Sequence, residues 1–158
     1  MAEILSAIDA WPVAVYFSRS SVAYALLNAA HILSLCLLVG AVVTLDITVL
    51  GGFRGVPIHH LAPPLERVAG AGLAAAIVTG ALLFTVRPAA YAANPAFLAK
   101  LALVVAGIAN ALAARHSRSW RIMLRGGGRS GGLVLSAILS LAIWVSAVVA
   151  GRAIGFLQ

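Results

Sequence analysis

Four stretches of this chain are apolar for about the length of a bilayer crossing. They run from about Ala23 to Leu50, from Val68 to Val86, from about Pro95 to Ala114 and from about Leu133 to Ile154. A hydrocarbon core of about 30 Å needs about 20 apolar residues in a helix. Backbone N–H and C=O groups cannot stay unpaired in lipid, so each run is predicted to be an α-helix. Arg67 and Arg87 bracket the second run, and Pro95 is well placed to open the third, because a first helical residue has no use for its N–H. The runs are separated by a Gly- and Pro-containing loop (51–67), a short loop (87–94) and an Arg/Gly-rich loop (115–132). The pattern predicts an all-α fold: one integral membrane four-helix bundle over residues 1–158, with no composition shift to divide it.

Ahead of the first run, Ile4, Leu5, Ile8 and Trp11 recur at helical spacing, with Glu3, Ser6 and Asp9 on the other side. That predicts a short helix lying in the membrane interface; an ordinary N-terminal tail fits the same residues. Glu3 and Asp9 stand where a cleavable signal would carry positive charge.

Composition supports burial in lipid. The chain is 63% hydrophobic and 9% charged, whereas about 25% charge is usual for a soluble domain. The formal net charge of +7 does not point to nucleic acid: the cations fall between apolar runs, and no basic groove with interleaved aromatics or nucleic-acid motif is present. They point instead to topology. Arg54, Arg67, Arg115, Arg118, Arg121, Arg125 and Arg129 belong to the first and third loops, against Arg19, Arg87, Lys100 and Arg152 on the other side. By the positive-inside rule the two richer loops are expected to be cytoplasmic. Both termini are then periplasmic, in a bacterial inner membrane. The third loop also suits anionic headgroups, although topogenic charge alone explains it. Cys36 is the one cysteine, which excludes an intrachain disulfide and a cysteine-based zinc site.

Small residues mark packing seams. Gly72, Ala76 and Gly80 form one row in the second run, and Ser136, Ser140, Ala147 and Gly151 another in the fourth. Such rows let helix backbones approach closely where no hydrophobic effect drives them together.

Candidate chemistry lies in the polar residues that lipid should exclude. At about 100° per residue, Asn28, His31, Leu35, Val42 and Asp46 share one face of the first helix. His31 lies about 28 Å from Leu50 and Asp46 about 6 Å from it along the axis, so they occupy different layers. Lys100 and Arg152 reach the His31 layer from the third and fourth runs, and no acidic residue in any run accompanies them. Such a cluster can hold an anion, a quinone oxygen or porphyrin propionates. Equally, Lys and Arg near helix ends snorkel to headgroups, and a lone histidine can simply hydrogen-bond a neighbouring helix. In the other layer Asp46 can meet Asn110, Arg67 or Arg115. With no second carboxylate expected nearby, a structural clamp of Asp46 and Asn110 is favoured there over a proton relay. His59 and His60 are expected to be solvated, and His116 lies at the opposite depth from His31. A bis-histidine haem within one chain therefore lacks its second ligand. No His/Asp/Glu cluster with metal spacing, nucleophile–base pair or phosphate-cradling loop is evident.

The stretches AAHILSLCLLVGAVVTLDITVLG, TGALLF, YAANPAFLAKLALVVAGIANALAARH and LSLAIWVSAVVAGRAIGFL resemble a bacterial family of short four-span membrane proteins of unknown function, over nearly the whole chain. Thr48 departs from the arginine expected two residues after the Asp, which removes a local ion pair with Asp46. More distantly, the layout is similar to the membrane domain of CopD copper-resistance proteins and to bacterial four-span protoporphyrinogen oxidases. On the latter resemblance His31, Lys100 and His116 would be counterparts, but the aromatic- and Arg-rich end of those oxidases' first span is missing, so their activity does not transfer.

Three functions are compatible with this sequence. One is a haem-b redox or electron-transfer membrane protein with His31 as axial metal ligand and Lys100 and Arg152 near the propionates. Its second ligand would be absent, the Lys100 nitrogen, or a second chain's His31 in a homodimer. Another is a non-enzymatic scaffold or assembly subunit that joins other membrane or periplasmic subunits. The weakest is a permease for copper or another solute, because a copper path wants rows of Met, Cys or His.

Overall fold

The computed structural model describes residues 2–53 and 55–156, with the side chains of residues 2 and 4 left aside. Sequence expectations that involve Met1, Arg54, Gln158 and the Ile4 side chain lie outside the described residues. Within them are α1 (Ala2–Asp9), α2 (Pro12–Arg19), α3 (Ser21–Leu50), α4 (Ile58–Val86), α5 (Pro88–Ala93), α6 (Pro95–His116), α7 (Arg118–Leu124) and α8 (Gly131–Ala153), closed by a 3-10 turn over Ile154–Phe156. No strand occurs among the described residues. Helices α3, α4, α6, and α8 with its closing turn, are long and apolar enough to cross a membrane. They expose Leu26, Leu33, Leu37, Val105, Ile138 and Val149, among others. Water would penalise such continuous apolar faces, whereas lipid covers them. The chain is a multi-pass membrane protein built as a helical bundle.

Local chemistry sets the helix ends. Side-chain oxygens of Ser20, Asn94, Ser117 and Ser130 accept from backbone N–H groups in the first turns of α3, α6, α7 and α8, satisfying donors that the helix leaves unpaired. At its far end α3 stops at Gly51, whose φ of 92° is left-handed and suits a residue with no Cβ. The Arg129 guanidinium lies against that glycine.

Two boundaries differ from the sequence expectation. Helix α4 begins at Ile58 rather than Val68, so His59, His60, Pro63, Pro64, Glu66 and Arg67 are helical rather than in a loop. An inward stripe explains it: Ile58, Ala62, Leu65, Ala69, Gly72 and Ala76 follow a four–three spacing and are buried or partly buried, while both histidines, both prolines and Arg67 are exposed. Second, the N-terminal segment forms two short helices, broken at Trp11, where one was expected. Helix α1 packs on α5 and α4, and α2 on α4 and α3, with Ala14 only 1% exposed.

The spans pair as hairpins. Helix α3 packs on α4, α6 packs on α8, and the two pairs meet along α3 and α8, leaving α4 and α6 on opposite flanks. A Cβ added at Gly72 would stand 2.7 Å from the Leu38 nitrogen and 2.9 Å from the Ser34 carbonyl oxygen, so only glycine permits this approach of α4 to α3. Gly107 lies under the Trp144 indole in the same way. One apolar core joins Leu45, Val49, Ile58, Ala62, Leu133 and Ala137 to Trp120 and Met123 of α7. A second, further along the spans, gathers Leu38, Ala41, Ala69 and Trp144. The predicted small-residue rows are seams: Gly72, Ala76, Ser140 and Ala147 are buried.

Candidate functional site

Two polar layers interrupt the apolar interior, separated on α3 by the fifteen residues from His31 to Asp46, or about 22 Å of helix rise.

At the histidine end, His31 turns toward α4. Its Nδ1 lies 2.9 Å from Thr79 Oγ1. The Thr79 hydroxyl has one proton, and it is directed at the Ala75 carbonyl, 2.7 Å away. With that proton spent on Ala75, Thr79 can accept from a hydrogen on Nδ1, the tautomer that leaves the Nε2 lone pair free. A Cβ at Gly80 would stand 3.0 Å from His31 Cε1, so the ring occupies the space that this glycine leaves. The Lys100 cation on α6 lies within electrostatic reach of the ring. Its Cδ, Cε and Nζ run across α8 at Gly151, each 3.5 Å from where a Cβ would be. Among the described residues no carboxylate pairs with Lys100. One turn beyond Gly80 on α4 and one turn before Lys100 on α6, Phe84 and Phe97 stack with centroids 5.6 Å apart, and Tyr91 of α5 joins them at 5.4 Å from Phe97.

Sequence expectation and structure agree only partly in this layer. His31 and Lys100 are brought together. Arg152 is not: it is exposed, with its guanidinium 4.8 Å from the Phe156 ring centroid, because the helix end turns it outward onto the closing turn. Asn28 is exposed rather than aligned with the interior, while its neighbour Leu27 is the residue that is buried at that level. Thr79 was missed as a partner. Its only signal was its place beside Gly80 in the small-residue row.

At the carboxylate end, a partly open cavity of about 80 Å³ lies among Asp46 of α3, Glu66 of α4, Asn110 and Arg115 of α6, and Ser136 and Ser140 of α8. Ser140 lines the cavity together with the Asp46 carboxylate, and Asp46 Oδ2 and Glu66 Oε1 are both buried with no hydrogen-bond partner. Asn110 and Ser136 bind reciprocally: Asn110 Nδ2 donates to the Ser136 carbonyl and Ser136 Oγ donates to Asn110 Oδ1, both at 3.0 Å. Arg115 Nε lies 3.1 Å from Glu66 Oε1, a polar bridge between the flanking helices. The expectation that Asp46 has no second carboxylate nearby is corrected here. Glu66 was assigned to a loop, and the early start of α4 carries it into the cavity. Arg67 is exposed and takes no part.

The remaining histidines are separate from both layers. His59 and His60 are exposed neighbours, and exposed His116 bonds the Leu112 carbonyl of its own helix. An open groove of about 580 Å³ borders His59, Gly51 and Arg129.

No family model matches this chain, and no curated protein or solved structure matches it either.

Proposed function

We propose that this protein binds a b-type haem in a bacterial inner membrane, which His31 would hold through Nε2, and serves in electron transfer. The observation that supports this most is the Nδ1–Thr79 hydrogen bond. Metal-ligating histidines nearly always donate their other ring N–H to a fixed partner, which sets the tautomer and the ring orientation. Thr79 does this for His31, and Gly80 leaves the ring its space. Lys100 adds an unpaired cation at the same level, suited to a propionate. Ionisable groups held at membrane depth without structural partners favour a functional reading.

Bound there, haem would supply a one-electron iron couple. The chain's own part is to hold the imidazole neutral and oriented and to place positive charge beside it. Arg152 is left out of this reading because it faces away. The loop charges further support an orientation with both termini periplasmic, which reporter fusions after Arg125 and Gln158 would test.

The deciding measurement is the absorption spectrum of protein purified from cells with ample haem. A Soret band that shifts on dithionite reduction in wild type, and is lost in His31→Ala, is expected. Colourless wild-type protein overturns the proposal. His31 would then be an interhelical tether to Thr79, and co-purifying subunits would favour the scaffold role.

A further inference from the structure

We infer that the cavity among Asp46, Glu66 and Arg115 is a binding site for one monovalent cation, filled by a proton or by Na⁺. This does not depend on the haem reading.

Charge bookkeeping motivates the inference. Of the groups lining the cavity, α3 contributes Asp46, α4 contributes Glu66 and α6 contributes Arg115, while α8 contributes only Ser136 and Ser140 and α7 only Trp120. The neighbouring ionisable groups Arg67, His116, Arg118 and Arg121 are exposed and outside the lining. Arg115 is engaged with Glu66, which leaves one negative charge without a counterpart. Oxygens of both carboxylates, Asp46 Oδ2 and Glu66 Oε1, are covered and without a hydrogen bond, but only Glu66 has a cation beside it, so the spare charge falls on Asp46. An uncompensated carboxylate in a low-dielectric interior is costly, and a single positive charge relieves the cost.

The cavity suits a small, hard cation. Asp46, Glu66, Asn110, Ser136 and Ser140 offer oxygen ligands with no nitrogen or sulfur donor of the softer metals. At about 80 Å³, against about 30 Å³ for a water in the liquid, it has room for a small ion and one or two waters. One missing charge matches a monovalent ion rather than Mg²⁺ or Ca²⁺. A proton on the carboxylate and Na⁺ beside it satisfy the same requirement.

The test is thermal unfolding of the purified full-length protein in detergent. NaCl is exchanged for choline chloride at constant ionic strength and pH, and separately pH is varied at constant Na⁺. A ligand that binds only the folded state raises the unfolding midpoint with its concentration. Near full linkage this amounts to about 3–5 °C for each tenfold change. A midpoint that climbs with Na⁺ identifies sodium; one indifferent to Na⁺ that climbs as pH falls identifies the proton. In either case Asp46→Asn, which keeps the shape and removes the charge, should abolish that dependence. Ser140→Ala keeps the charge and removes a hydroxyl from the cavity lining, so it should shift the half-saturating concentration several-fold. Should Asp46→Asn fail to fold, the Ser140→Ala shift decides. A wild-type midpoint independent of both cations, an Asp46→Asn protein retaining the wild-type dependence, or a Ser140→Ala protein with an unshifted one overturns the inference.

Discussion

The two polar layers sit on one helix and are solved in different ways. His31 finds its partner on the adjacent helix, whose backbone lies so close at Gly72 that a methyl group has no room and whose Gly80 faces the imidazole itself. One direct hydrogen bond then serves the ring. Asp46 lies where all four spans contribute and the flanking helices reach each other through the Glu66 and Arg115 side chains, so polar groups surround a space instead of closing on each other. Close backbones produce a fixed donor–acceptor pair; splayed backbones produce a cavity whose charges must balance. The layers also differ in sign. The histidine end has a cation without an anion, and the carboxylate end has an anion to spare.

That contrast can be broken most directly by exchanging the readouts. His31→Ala should remove all haem absorbance while Asp46→Asn leaves the spectrum of the purified protein unchanged. Loss of haem in both would mean that the ends form one coupled unit. Thr79→Val comes next. It deletes the acceptor for Nδ1–H, and about a ten- to hundredfold weaker haem affinity in a titration of apoprotein is expected. An unchanged affinity would show that the ring needs no second partner.

Smaller effects sharpen the division. Asn110→Ala removes the reciprocal pair with Ser136 and should cost about 1 kcal/mol, or about 2–4 °C in the detergent unfolding midpoint, with no spectral change. Arg152→Ala should do least. Its guanidinium rests on Phe156 at the surface, so a change within about 0.5 kcal/mol and an intact Soret band are expected. A bleached Arg152→Ala protein would return that residue to the site.

The spans were legible because length and hydropathy alone decide them. Ser20, Asn94 with Pro95, and Ser130 also mark starts that a reader of caps can find. The start of α4 was not legible. Pro63, Pro64, Glu66 and Arg67 resemble a loop by local propensity, yet the inward stripe from Ile58 to Ala76 outweighs them. This one error hid Glu66 and with it the second carboxylate. His31 and Lys100 could be matched by depth, since rise per residue is fixed. The direction of a side chain could not be read so easily: periodicity groups residues on a face without saying which helix that face meets, so Thr79 was missed and Asn28 and Arg152 were misplaced.

The proline pair in α4 has a mechanical consequence. Pro63 and Pro64 have no amide hydrogen, so the carbonyls of His59 and His60 lose the rungs that a regular helix supplies four residues later. The segment from Ile58 to Ala62 is therefore held by its apolar packing, with Ile58 and Ala62 in the core, more than by its own backbone hydrogen bonds. Deuterium should enter its amides sooner than those beyond Leu65, because local opening there breaks fewer bonds. Ile58 and His59 also border the open groove beside Arg129.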